Sequence, residues 1–148
     1  MTPVFADSSA LVKLYADESG ADEVRSISPL IISQLARVEV PAALWRKHRL
    51  GELSAEDATL LVAAFEADYF GVDDEPERFF VIAMTPTVLD DAAQLVGVHG
   101  LRAYDSVQLA SALSTSSEFP EGVAFVAFDQ TLRAAAARER LELLSSGM

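Results

Sequence analysis

The sequence predicts an α/β fold, with a mostly parallel sheet of short strands flanked by helices and one domain covering residues 1–148. Two observations carry this expectation. Brief apolar runs rich in β-branched and aromatic residues recur along the chain, and segments of helical character separate them. With 148 residues, 51% of them hydrophobic, there is material for one core of ordinary size.

Val4–Ala6 reads as a short buried strand, and Ser8 or Ser9 can cap a helix running to about Ala16. Asp17-Glu18-Ser19-Gly20 ends that helix, and a short second one covers Ala21–Ser26. Pro29–Ile32 is the next strand. Ser33 then caps a helix through Leu50, closed by Gly51. Pro41 lies inside it, cannot donate to the carbonyl four residues back, and predicts a kink. Ser54-Ala55-Glu56-Asp57 has the capping-box pattern and opens a helix to about Tyr69. Gly71–Glu77 is an acidic turn.

Phe79–Met84 is a third strand. Thr85-Pro86 supplies an N-cap and a first-turn proline for a helix ending near Val98, with Gly100 just beyond. A further helix covers Tyr104–Leu113, and Ser114–Gly122 reads as a polar loop. Val123–Phe128 is a fourth strand, Gln130–Arg138 a short helix and Leu141–Leu144 a last strand.

The chain has no cysteine, which excludes disulfides, cysteine-ligated zinc and a cysteine nucleophile. A reducing cytoplasm is the matching compartment. No signal-peptide pattern stands at the N-terminus, and no apolar run approaches the roughly 20 residues that span a bilayer, so a soluble protein with no membrane partner is expected. The net charge of −12 repels nucleic acid unless a cation or a local basic patch offsets it, and it suits a basic protein partner.

Four acids stand out. Asp7 and Asp129 directly follow apolar strands, at the carboxyl edge where sites of parallel sheets form. Glu39 shares a helical stripe with Leu35, Ala42 and Arg46, and Asp105 one with Leu109, Ala112 and Leu113. Each alone has a plain explanation: Asp7 and Asp105 favour helix N-termini, Asp129 is an ordinary N-cap, and a shifted helix phase puts Glu39 in water. Together they suggest one pocket. Two carboxylates about 4 Å apart repel by on the order of 4 kcal/mol at an effective dielectric near 20, so four need protons or a cation. Mg²⁺ or Mn²⁺ accepts such oxygen ligands and activates water for phosphodiester hydrolysis.

The stretches FADSSALVKLY, SQLARVEVPAALWRK, HGLRAYDSVQLASAL and FVAFDQTLRAAA resemble, in order and spacing, the PIN-domain nucleases, especially VapC-type toxins of toxin–antitoxin pairs. The resemblance covers nearly the whole chain. It implies a PIN-like fold and an endoribonuclease dependent on Mg²⁺ or Mn²⁺, using metal-activated water. It assigns Asp7 and Asp105 as principal metal ligands, with Glu39 and Asp129 completing the acidic site. Ser9 matches a small polar position beside the first aspartate. A homodimer and a small antitoxin partner are further implications. The chain departs from the family's pattern at Ala127, where Thr or Ser is frequent, and at Gln108, where His is frequent; neither change removes a carboxylate.

Arg46-Lys47-His48-Arg49 is the one dense basic cluster. It serves either RNA phosphates, with Arg46 the best placed, or the helix C-terminus. Trp45 and the group Phe65, Tyr69 and Phe70 are expected in core or interface packing, and Lys13 on a solvated face. His48 and His99 do not suggest zinc. Asp73-Asp74-Glu75 reads as a solvated loop, and Asp90-Asp91 suits a helix first turn.

Other chemistries fit less well. A haloacid-dehalogenase-type phosphatase using Asp7 needs an acid where Ser9 stands. A receiver domain needs a lysine after a late strand, which Phe128-Asp129-Gln130 does not offer. A non-catalytic module whose acid pocket holds a basic partner is the rival outside enzymes.

Overall fold

Among the described residues, five short strands form one sheet, and each pairs parallel to its neighbours in the order β3-β2-β1-β4-β5. The computed structural model describes residues 2–144. The strands are β1 (Val4–Ala6), β2 (Leu30–Ser33), β3 (Phe79–Ile82), β4 (Ala124–Val126) and β5 (Glu142–Leu143). Between them run α1 (Ser8–Val12), α2 (Ala21–Arg25), α3 (Ala36–Arg49), α4 (Ala55–Phe70), α5 (Pro86–His99), α6 (Ala103–Ser116) and α7 (Gln130–Arg138). The parallel α/β architecture follows the sequence expectation.

Side chains alternate across the central strand. Val4 and Ala6 pack with Leu11, Val40, Leu44, Phe65 and Val126 in a core beneath the first four helices. Phe5 points the other way, into a core with Val107, Leu109, Phe125 and Leu132. The register pairs Phe5 with Phe125, and their rings stack at 5.8 Å. Both faces of β1 and β4 are thus covered, as apolar parallel strands require.

Several boundaries moved. Helix α1 stops at Val12, and the chain continues in tight turns, including bonds from Lys13 N–H to Ala10 O and Leu14 N–H to Leu11 O. Its cap is Asp7, whose side chain accepts from Ala10 N–H, not Ser8 or Ser9. Ser33 accepts from Leu35 N–H in a turn ahead of α3, whose N-cap, Leu35, makes no side-chain capping bond. Pro41 lies inside α3 without ending it. Helix α6 extends to Ser116, taking in part of the expected loop. The Ser54 and Thr85 caps form as expected, accepting from Asp57 and Val88 N–H. Gly100 closes α5 at φ 66°, in the left-handed region that glycine enters without strain.

Two side chains depart from expectation. Lys13 is buried, because its ammonium bonds Glu18 and the Ser19 carbonyl while lying 4.4 Å from the Phe128 ring centroid. Phe70, at the last turn of α4, is exposed; Phe65, more than a turn earlier, takes the core position.

Candidate active site

The chain builds β1, β2 and β3 toward one side and then returns to add β4 and β5 on the other. The direction of winding reverses between β1 and β4, and a crevice forms outside their carboxyl ends. A cleft of about 220 Å³ lies there, lined by Asp7, Ser8, Ser9, Glu39, Ala43, Arg102, Asp105, Gln108 and Asp129. The four acids singled out in the sequence therefore share one pocket, although they come from four separate places along the chain.

Asp7 is 3% exposed. Its Oδ1 accepts from Ala10 N–H, and the Ser9 hydroxyl lies 2.9 Å from both carboxylate oxygens. Burial pushes this carboxyl up from its ordinary 3.8 to about 7. The bonds from Ala10 and Ser9 oppose that rise, and the charges of Asp105 and Glu39 add to it.

Glu39 is held from two sides. Its Oε1 accepts from Ser8 Oγ at 2.8 Å and from Gln108 Nε2 at 2.9 Å, and the same amide donates to Ser8 Oγ at 2.8 Å. Gln108 is buried, which fixes its amide. Its Oε1 has no hydrogen-bond partner among the described residues.

Asp105 Oδ2 accepts from Arg102 Nε at 3.0 Å and Nη2 at 2.9 Å. Asp129 divides its oxygens: Oδ2 caps α7 by accepting from Leu132 N–H, and Oδ1 lies 3.9 Å from Arg102 Nη2. The plain capping role of Asp129 and its place in the pocket are thus both real. The acids around Arg102, Asp105 foremost, raise its guanidinium above the ordinary range.

Arg46 is exposed and does not line the cleft. The stripe that linked it to Glu39 is phased differently from the expectation. Ala36, Val40 and Leu44 face the core, Glu39 and Ala43 border the cleft, and Ala42 and Arg46 face solvent. Arg102 was not singled out in the sequence, and Ser8 only as a candidate helix cap. A search for misplaced acids overlooks both, although Arg102 stands three residues before Asp105, at ion-pairing distance on a helix.

The donor set suits a hard divalent cation. The acids offer oxygen only, and a cation would offset the burial cost carried by Asp7. As they stand, no group of three or more His, Cys, Asp or Glu among the described residues is gathered to hold an ion. The chemistry of the donors fits such an ion, while Asp105 Oδ2 is engaged by Arg102.

The sequence matches the PIN domain family over residues 4–138. It is 32% identical over 145 residues to Ribonuclease VapC45 of Mycobacterium tuberculosis (strain CDC 1551 / Oshkosh), covering 92% of this chain and 90% of that protein. The same figures hold for Ribonuclease VapC49 of M. tuberculosis (strain ATCC 25618 / H37Rv). Among solved structures, PAE2754 from Pyrobaculum aerophilum superposes with a TM-score of 0.64 at 24% identity, over 90% of this chain and 84% of that one. A chain of a toxin–antitoxin complex from Klebsiella pneumoniae superposes with a TM-score of 0.61 at 13% identity, over 96% of each. A family match across nearly all of the sequence, together with relatives sharing about a third of their residues over nine-tenths of the chain, establishes that the protein belongs to the PIN-domain family.

Proposed function

We propose that the chain is an endoribonuclease dependent on Mg²⁺ or Mn²⁺ and the toxin of a toxin–antitoxin pair. The observation that carries this reading is the convergence of Asp7, Glu39, Asp105 and Asp129 on one cleft at the switch point of the sheet. The ribonuclease names of the mycobacterial relatives support the same reading.

In this reading Asp7 and Asp105 are the principal ligands, and Glu39 and Asp129 complete the set. When bound, the cation supplies Lewis acidity toward a phosphate oxygen and makes water a better nucleophile at neutral pH. Ser8 and Gln108 engage Glu39 through Oε1, which leaves Oε2 to orient the attacking water and accept its proton. Water oxygen bonds to phosphorus as the P–O bond to the leaving nucleotide breaks; the leaving oxygen takes a proton from solvent water, and Glu39 returns the proton it accepted to solvent. Ser9 holds Asp7 in place. Arg46, on the solvent face of α3, is a candidate contact for RNA phosphates beyond the cleft.

The partners in this reading are RNA, a small antitoxin with basic character and a second copy of the chain, in the cytoplasm. The −12 charge suits the basic partner. No helix among the described residues is long and apolar enough to cross a membrane.

The test is cleavage of total cellular RNA with cut ends mapped by sequencing, in Mg²⁺, Mn²⁺ or chelator, for wild type and Asp105→Asn. Discrete cuts that vanish with chelator and with the variant are expected. No cuts from folded, partner-free wild type would overturn the reading. The ion pair on Asp105 favours a second reading, a silent module whose acids hold a basic partner. Tight partner binding without metal-dependent turnover would mark that case.

A further inference from the structure

Among the described residues, Arg102 is the only cationic side chain lining the cleft, facing four carboxylates. Its side chain is 79% exposed, so packing does not hold it there. What holds it is Asp105 Oδ2, engaged by both Nε and Nη2, with Asp129 Oδ1 at 3.9 Å. The position is otherwise a poor one for a cation. Arg102 is the N-cap residue of α6 and makes no side-chain capping bond. The positive end of the helix disfavours a guanidinium there, and the acids offset that.

Two demands meet on this group. A divalent cation that takes Asp105 must displace the guanidinium from the oxygen it occupies. An RNA phosphate entering a cleft with four carboxylates, on a chain of net charge −12, needs a local cation to receive it. The planar fork of arginine fits carboxylate and phosphate equally well. An ion pair this exposed is weak, so exchange between the two is easy.

We propose that Arg102 is a displaceable internal counter-ion: it occupies Asp105 while the cleft lacks a divalent cation, and transfers to a backbone phosphate of the RNA once a cation takes Asp105. This rests on the nuclease reading above. It adds a substrate-binding residue and a cause for the ungathered acids. The exchange makes cation and RNA binding mutually supportive, since each removes the other's competitor.

The experiment uses full-length wild type, Arg102→Gln and Arg138→Gln. The last removes one positive charge at the far end of α7 and controls for net charge. Mn²⁺ affinity is measured by calorimetry. Affinity for a short labelled RNA is measured in Ca²⁺ across a salt series, with RNA integrity checked on a gel. Arg102→Gln is expected to bind Mn²⁺ about two- to fivefold more tightly, since an exposed competing pair is lost. It is expected to bind RNA about fivefold more weakly, with a salt slope shallower by roughly 0.7, the value of one phosphate contact. Arg138→Gln should match wild type in both.

Unchanged or weaker Mn²⁺ binding by Arg102→Gln overturns the proposal. So does RNA affinity with an unchanged salt slope, or an equal effect from Arg138→Gln. In those cases, metal and RNA binding by wild type leaves the nuclease reading standing. Wild type that binds neither Mn²⁺ nor RNA overturns both.

Discussion

Asp7→Asn should stabilise the metal-free protein at neutral pH while removing its activity. The Asp7 carboxyl rises from 3.8 to about 7 on folding, chiefly through burial. The folded chain therefore keeps a proton that the unfolded chain has already lost between those two values. Stability falls as pH rises through that window and levels off above it. About three pKa units at 1.4 kcal/mol each give a cost on the order of 4 kcal/mol above pH 7. Asparagine does not titrate, and its amide oxygen still accepts from Ala10 N–H. The stability of Asp7→Asn relative to wild type should therefore grow by about 3 kcal/mol from pH 5 to pH 8, across the two units below pH 7. Urea unfolding in chelator at the two pH values measures it. A relative stability that does not change with pH would refute the burial argument, whatever the variant does to cleavage.

Gln108→Leu removes the donor to Glu39 and Ser8; kcat for RNA cleavage should fall about 10- to 100-fold with little change in KM, as for other residues that orient ligands, read from initial rates on a defined RNA. Chelation should abolish cleavage and leave the far-UV circular dichroism unchanged, because two apolar cores rather than an ion hold the fold. Leu44→Ala empties a fully buried position on α3 and should cost about 2–5 kcal/mol in urea unfolding. Gly20→Ala should also destabilise: at φ 88° an added Cβ would meet the Phe128 ring at 2.7 Å, and the midpoint of thermal unfolding should drop.

The fold was legible because its strands are short, apolar and bounded by caps. Ser54 and Thr85 announce their helices locally, and no distant contact is needed to see them. The acids were legible because a carboxylate beside buried strand residues conflicts with local rules, as at Asp7. What local reading missed depends on how the folded chain closes around a side chain, from near and far. Lys13 looks like a surface lysine until Glu18, Ser19 and Phe128 close around it. Arg102 looks like an ordinary residue at the start of a helix until its acids are assembled. The phase of α3 is fixed by packing against Leu11 and Phe65, not by the repeat of its own residues, so the expected stripe through Ala42 and Arg46 lay one position off.

The central strand β1 is made first, yet its partner β4 begins at Ala124. A nascent chain emerging from the ribosome carries Asp7 and Glu39 long before Asp129 exists. Until β4 arrives, one side of β1 has no neighbour and the cleft has no second wall. The chain through Asp129 must therefore be translated before the four acids can share a cleft. A product truncated ahead of Ala124 would carry Asp7, Glu39 and Asp105 but neither Asp129 nor the strand beside β1, so the four-acid cleft is a late consequence of strand order alone.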